Sequence, residues 1–185
     1  MKFSGSYELK SSKKKVWENL NNIDVLKKCI DGCQEFLRID NNKYDAKIFI
    51  KLGPVNASFR STIEIKNIIE EDSYEIIAQG NAGQLGNVSG KVIVFLKELD
   101  KTTVLNYEAD TRINGRIAQL GSRLIDGSVK KNTDLFFQNF SKSLNEESEI
   151  IINNKKNKIT IKKVKVLTFL TLLFFIILFI GLYVR

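Results

Sequence analysis

The strongest constraint in this chain is a change of hydrophobic period near Asn114. Over residues 33–113 apolar and polar side chains alternate, as on strands that are buried on one face. Over residues 115–144 they recur at helical spacing, with no Pro and room for about eight turns. The alternating part divides into predicted strands at 33–39, 44–52, 57–68, 74–80, 88–99 and 103–113. Phe3, Gly5, Tyr7 and Leu9 alternate in the same way and add a seventh strand at the start. Polar turns as short as DNNK and EEDS separate the strands, so chain neighbours should pair antiparallel. Between the first two strands, SSKKKVWENL reads as a short helix capped by Ser11 or Ser12, and residues 24–30 as a second one ended by Gly32. The long helix should show solvent Arg116, Gln119, Arg123, Asp126, Lys130 and Asp134. It should turn Ile117, Leu120, Leu124, Leu135 and Phe136 inward. Together these elements predict an α+β domain over residues 1–144, a curved seven-stranded antiparallel sheet around a long C-terminal helix.

Beyond it the chain changes character. Residues 166–184, VLTFLTLLFFIILFIGLYV, carry no charge. As a helix they would cover about 28 Å, near the thickness of a bilayer's hydrocarbon core. Lys155, Lys156, Lys158, Lys162, Lys163 and Lys165 precede the segment, and Arg185 follows it. That asymmetry predicts a single-pass transmembrane anchor in the cytoplasmic (inner) membrane, with the body on the cytoplasmic side. Lys162, Lys163 and Lys165 would meet lipid head groups, and Leu167, Phe174, Phe179 and Tyr183 would lie in or at the edge of the span. Residues 145–165 form a Lys-rich linker between body and anchor.

Composition narrows the chemistry. The chain has no His among its 185 residues, which removes His triads, His acid/base catalysis and most zinc sites. Cys29 and Cys33 stand in a C-x₃-C spacing that fits two reduced cysteines better than a redox or zinc pair. The formal net charge is +8, about half of it after Leu144, which points to a membrane surface before nucleic acid. Arg112, Arg116 and Arg123 form a basic patch, interleaved with Asp126 and Asp134 and without an aromatic platform, so nucleic acid is not expected there either. MKFSGSYELK is polar and alternating and reads as a strand rather than a signal peptide.

The stretch GRIAQLGSRLIDGSVKK invites a phosphate-loop reading, but the spacing is wrong. Such a loop needs Lys directly after its second Gly and a parallel strand before it, whereas Ser122 follows Gly121 and the strand before is antiparallel. On a helix, Gly121 and Ser128 would share one line with Asn132 nearby. Small and polar groups there fit either close approach of helix to sheet or a cavity. The inward candidates for a cavity lining are Phe59, Ile63, Ala78, Val94, Tyr107, Ala109, Gly121, Leu124 and Ser128, and one register slip would exchange the sheet set. Glu108 and Asp110 fall on the opposite face. GNAGQLGNVSG is either a mobile lip of the cavity or an ordinary turn.

Several segments also carry a family resemblance. FSGSYEL and VW near the start, CIDGC after the second helix, KLGPVNASF at a strand turn, GNAGQLGNVSG and NGRIAQLGSRLIDG occur in this order. In them the body resembles the CoxG family, the G component of carbon monoxide dehydrogenase, within the START/Bet v 1-like (SRPBCC) superfamily. Asp31 stands where that family usually has Pro. The resemblance implies a helix-grip fold with an apolar cavity between sheet and long helix. It also implies association with molybdenum hydroxylases of the carbon monoxide dehydrogenase type at the membrane, as an accessory component rather than the molybdenum-bearing catalytic one. The resulting expectation is a non-enzymatic, membrane-tethered recruiter that takes a respiratory quinone or lipid in its pocket and holds no other cofactor. The alternatives are an assembly adaptor with a filled core, and a cyclase or hydrolase, which would require a buried carboxylate in the cavity.

Overall fold

The computed structural model describes residues 1–157, with side chains through Asn145. Seven strands form one antiparallel sheet: β1 (Lys2–Leu9), β2 (Cys33–Asp40), β3 (Lys43–Leu52), β4 (Val55–Ile69), β5 (Ser73–Asn81), β6 (Asn87–Leu99) and β7 (Thr102–Asn114). Their order is β1-β7-β6-β5-β4-β3-β2, so each pairs with its chain neighbour except β1, which closes on β7. Helices α1 (Lys13–Leu20) and α2 (Ile23–Cys29) carry the chain from one edge of the sheet to the other. Ser12 caps α1 by accepting from the Lys15 amide at 3.4 Å, and Asn22 caps α2 by accepting from Asp24 N and Val25 N at 3.0 and 3.4 Å. Bulges in β2 and between Lys66 and Ile69 of β4 bend the sheet.

Register settles which set faces inward. Tyr44, Ile63, Ala78, Gly90 and Thr111 lie side by side in one cross-strand row. Ile65, Ile76, Val92, Ala109 and Phe3 form the next. These rows line the concave face, while Lys91, Glu108 and Asp110 lie on the convex one.

The C-terminal helix, α3 (Ser122–Asn157), starts later than the periodicity predicts. Gly115 at φ +85° turns the chain out of β7, a 3-10 turn covers Ala118–Leu120, and Gly121 at φ +81°, ψ 153° breaks the path before Ser122. That backbone region is nearly closed to residues with a Cβ. Apolar spacing of three persists through a 3-10 turn, which is why residues 115–121 read as helix. Ile117 is buried against Leu52, Ala57 and Phe59, and its amide donates to Leu85 O at 3.0 Å. A Cβ on Gly115 would sit 2.6 Å from Gly86 Cα. The GNAGQLGNVSG hairpin therefore clamps the entry to α3 and is not a lip of the cavity described below.

The main core joins Leu9, Val16, Leu20, Val25, Cys29, Tyr74, Val94, Leu96 and Leu105 to Phe137, Phe140 and Leu144 of α3. The predicted linker beyond residue 157 and the anchor with Lys162, Lys163, Lys165, Leu167, Phe174, Phe179 and Tyr183 lie outside the described residues. Among the described residues no helix is long and apolar enough to cross a membrane.

Candidate functional site

Between sheet and α3 lies a cavity of about 480 Å³. Its sheet wall is Phe36, Tyr44, Ile63, Ile65, Tyr74, Ile76, Val92, Val94, Leu105, Tyr107, Ala109 and Thr111, with Phe3 at the β1 edge. Leu20 and Asn21 of α1, and Leu26 and Ile30 at α2, add one flank. Val129, Asn132, Thr133, Phe136 and Phe137 face it from α3. The space exists because short side chains meet across it: Ala109 and Val92 on the sheet, Val129 and Thr133 on the helix. Ile63, Ile65, Ile76 and Val92 point inward from the middle of the sheet, yet all four stay only half-buried. Filled cores leave no such accessible surface.

Four sequence candidates line this cavity: Ile63, Val94, Tyr107 and Ala109. Phe59 and Ala78 share the concave face but lie outside the lining, Phe59 being buried with Leu52, Ala57 and Ile117. The helix candidates are corrected more sharply. Gly121 precedes α3 and has open space where a Cβ would stand, so it does not thin a helix crossing. Leu124 is 43% exposed and lies over Gly53. Ser128 sits on the flank and only lends its carbonyl to Asn132 Nδ2, at 2.8 Å. Carrying the helical phase back through the 3-10 turn centres the inward face on the line of Gly121 and Ser128, roughly a quarter turn from its true position. Counted from Ser122, the inward line is Ile125, Val129, Asn132, Phe136 and Phe140. Its spacing is present in the sequence and belongs to a helix with a different start. Leu26 and Ile30 have no such signal, since α2 is only 7 residues long.

No Asp, Glu, Lys, Arg or Cys occurs in the lining. Its polar groups are Asn21, Thr111, Asn132, Thr133 and three tyrosines. Burial pushes the Tyr74 hydroxyl above its ordinary pKa, so the group is neutral. Charges gather outside, where α3 meets β1. Tyr7 donates to Asp134 Oδ1 and Lys130 Nζ donates to Asp134 Oδ2, both at 2.7 Å. The Lys130 contact, aided by that from Tyr7, holds the Asp134 carboxyl below the usual range. The Tyr7 ring stacks on Phe137 at 3.9 Å. Arg112, Arg116 and Arg123 are exposed. Cys29 is buried and Cys33 half-buried, both as free thiols that burial pushes up in pKa. Among the described residues no group of three or more His, Cys, Asp or Glu could hold a metal ion. This arrangement can enclose an apolar molecule and hydrogen-bond it at a few points.

Comparison with known proteins follows the same lines. The family model for CoxG, the G component of carbon monoxide dehydrogenase, matches residues 5–145. Among solved structures, a conserved protein from Geobacillus kaustophilus is similar, with TM-score 0.75 and 28% identity over 79% of this chain and 96% of that one. The Zhui aromatase/cyclase from Streptomyces sp. R1128 shares the fold at TM-score 0.57 and 12% identity, covering 80% of this chain and 95% of that one. Ara h 8.0201 does so at TM-score 0.56 and 15% identity, with 79% and 98% covered. No curated protein matches the chain.

Proposed function

The chain belongs to the carbon monoxide dehydrogenase CoxG family, and from that premise we propose that it is a non-catalytic accessory protein of a molybdenum hydroxylase of the carbon monoxide dehydrogenase type. Its grip domain takes an apolar small molecule, such as a respiratory quinone or a lipid, and residues 166–184 tether it to the cytoplasmic membrane. The observation that carries this reading is the open apolar cavity of about 480 Å³, which lies within the usual range for small-molecule sites. A pure adaptor has no use for an unfilled core, and the described lining holds no carboxylate of the kind the cyclase alternative requires. The 166–184 segment and the lysines before it support the tether.

Fractionation with affinity capture tests the proposal. Full-length chain should sediment with membranes and, after detergent extraction, retain molybdenum hydroxylase polypeptides identified by mass spectrometry. Deleting residues 166–184 should move the body to the supernatant. Full-length chain found in the supernatant would remove the tether, and capture without any hydroxylase polypeptide would remove the partner.

A further inference from the structure

Charge is distributed unevenly between the two ends of the sheet. At one end, the tip, the β3–β4 and β5–β6 turns meet the connection from β7 to α3. A Cβ on Gly53 would stand 3.5 Å from Leu124 Cδ2, and the Ile117 amide donates to Leu85 O at 3.0 Å. The three stretches that run through this end, residues 46–63, 76–97 and 111–125, contain no Asp or Glu. They bring Lys51, Arg60, Arg112, Arg116 and Arg123 to it or close behind it, all exposed. The turns at the other end carry Asp40, Glu70, Glu71, Asp72, Glu98 and Asp100, and there Lys13 of α1 pairs with Asp72 at 3.0 Å.

Ion pairing follows the same division. Lys13, Lys43, Lys66, Lys91 and Lys130 each have a carboxylate at 2.6 to 3.9 Å. Among the described residues none of the five tip cations has one. Asp31 in the α2–β2 turn and Asp126 in α3 border the tip without pairing to it. Like charges without counter-charges repel and cost the fold stability, so the tip is suited to an anion outside the protein. Leu124 beside Arg123, and Phe49 two residues before Lys51, are exposed as well, which sets apolar groups among the charges.

An anionic bilayer fits this pattern. Its head groups form a continuous negative field that needs no matched partner for each cation, and its surface layer admits apolar side chains. On the reading just given that residues 166–184 tether the chain, such a surface is always within reach, so weak contacts suffice to hold it. We propose that the tip, through Lys51, Arg116, Arg123 and Leu124, is a docking surface for the anionic leaflet of the cytoplasmic membrane. The cavity plays no part in this inference.

Hydroxyl-radical footprinting of full-length chain tests it, in nanodiscs of phosphatidylcholine alone or mixed with phosphatidylserine. Leu124 should be oxidised about threefold more slowly in the serine-lipid discs, as for a docked state held about two-thirds of the time. Leu99 and Ile69, exposed at the opposite end, should react alike in both discs. Salt at about 1 M, where charges are screened beyond about 3 Å, should abolish the difference. So should Lys51→Glu combined with Arg116→Glu and Arg123→Glu. If that variant does not fold, the three corresponding Gln substitutions should still shrink the difference. Equal oxidation of Leu124 in both discs, in chain that has entered them, would overturn the inference and leave the tether standing. Shielding of Leu99 and Ile69 instead would also overturn it. So would shielding of Leu124 that appears only when captured hydroxylase is added, which would give the tip to an acidic protein. A chain that enters neither disc would remove the tether and the inference with it.

Discussion

Two stretches of α3 cross the same sheet with opposite results. Around Phe137, Phe140 and Leu144 the helix meets Leu9, Val16, Leu96 and Leu105, and Phe140 and Val16 retain 0% exposure. Around Val129 to Thr133 the same helix faces the cavity. Side-chain size and the tie to α1 separate these regions. At the packed end α1 adds Val16 and Leu20, and Lys15 Nζ donates to Leu144 O at 2.6 Å, tying α1 to α3. Over the middle, α1 and α2 reach only one flank of the cavity, through Leu20, Asn21, Leu26 and Ile30, and the short side chains of Val129 and Thr133 face Val92 and Ala109 across it. The hollow is a property of sequence placed on a sheet that could have been filled.

Truncation should expose the difference most strongly. Phe140→Ala should cost about 3–5 kcal/mol by thermal or urea unfolding, as for buried aromatics elsewhere. Val129→Ala should cost about 1 kcal/mol or less, because its methyls already border open space. Equal losses would mean that the middle is packed as tightly as the end.

Enlargement should give the second largest contrast. Ala46 is 2% exposed, clusters with Phe36 and Tyr44 and does not itself line the cavity, so Ala46→Leu should destabilise by about 1–3 kcal/mol. Ala109→Leu has the cavity to grow into and should leave the unfolding midpoint nearly unchanged while it weakens ligand binding. If the two substitutions cost the same, the cavity would have to be closed in solution.

The glycines sharpen the picture further. Gly121→Ala should cost about 1–3 kcal/mol from backbone strain alone, with no loss of ligand, since its φ and ψ suit Gly and nothing lies within 4 Å of the new Cβ. Gly127 also has open space, but within α3, and Gly127→Ala should stabilise by about 0.5–1 kcal/mol. A gain at both sites would contradict the position given to the helix start. Nothing in the structure explains why residue 127 is Gly.

That pair also marks the limit of what can be read from the sequence. Strands are legible to within a residue or two, because alternation and short turns leave few options. Cross-strand pairing then makes inward positions such as Ile63, Val94, Tyr107 and Ala109 follow together. The helix face is not legible, since the left-handed backbone at Gly115 and Gly121 interrupts the phase without interrupting the apolar spacing. Periodicity places Gly121, Leu124 and Ser128 inward for that reason, and misses Ile125 and Val129. Phe59 and Ala78 face the right way, but distance along a strand decides whether an inward residue meets the cavity or Ile117, and alternation has no such information.

The smallest effect concerns the seam between β1 and α3. The folded Asp134 carboxyl lies below its ordinary pKa because Lys130 and Tyr7 bond it. Its stabilising contribution is therefore present above about pH 4, the unfolded value, and is lost as pH falls through the lower folded value. Asp134→Asn should flatten the acid limb of the melting-temperature profile in that window and leave neutral ligand binding unchanged. The effect is small, as the Lys130–Asp134 pair is 77% and 47% exposed. A change confined to pH above neutrality would contradict the assignment.

Occupancy of the hollow region is the central claim, and organic extraction of purified full-length protein followed by mass spectrometry tests it most directly. The protein should release close to one equivalent of an apolar molecule, and Ala109→Leu combined with Val92→Phe should release almost none while unfolding at a similar temperature. No released molecule after purification from membranes, or the same molecule in equal amount from the filled variant, would contradict the account.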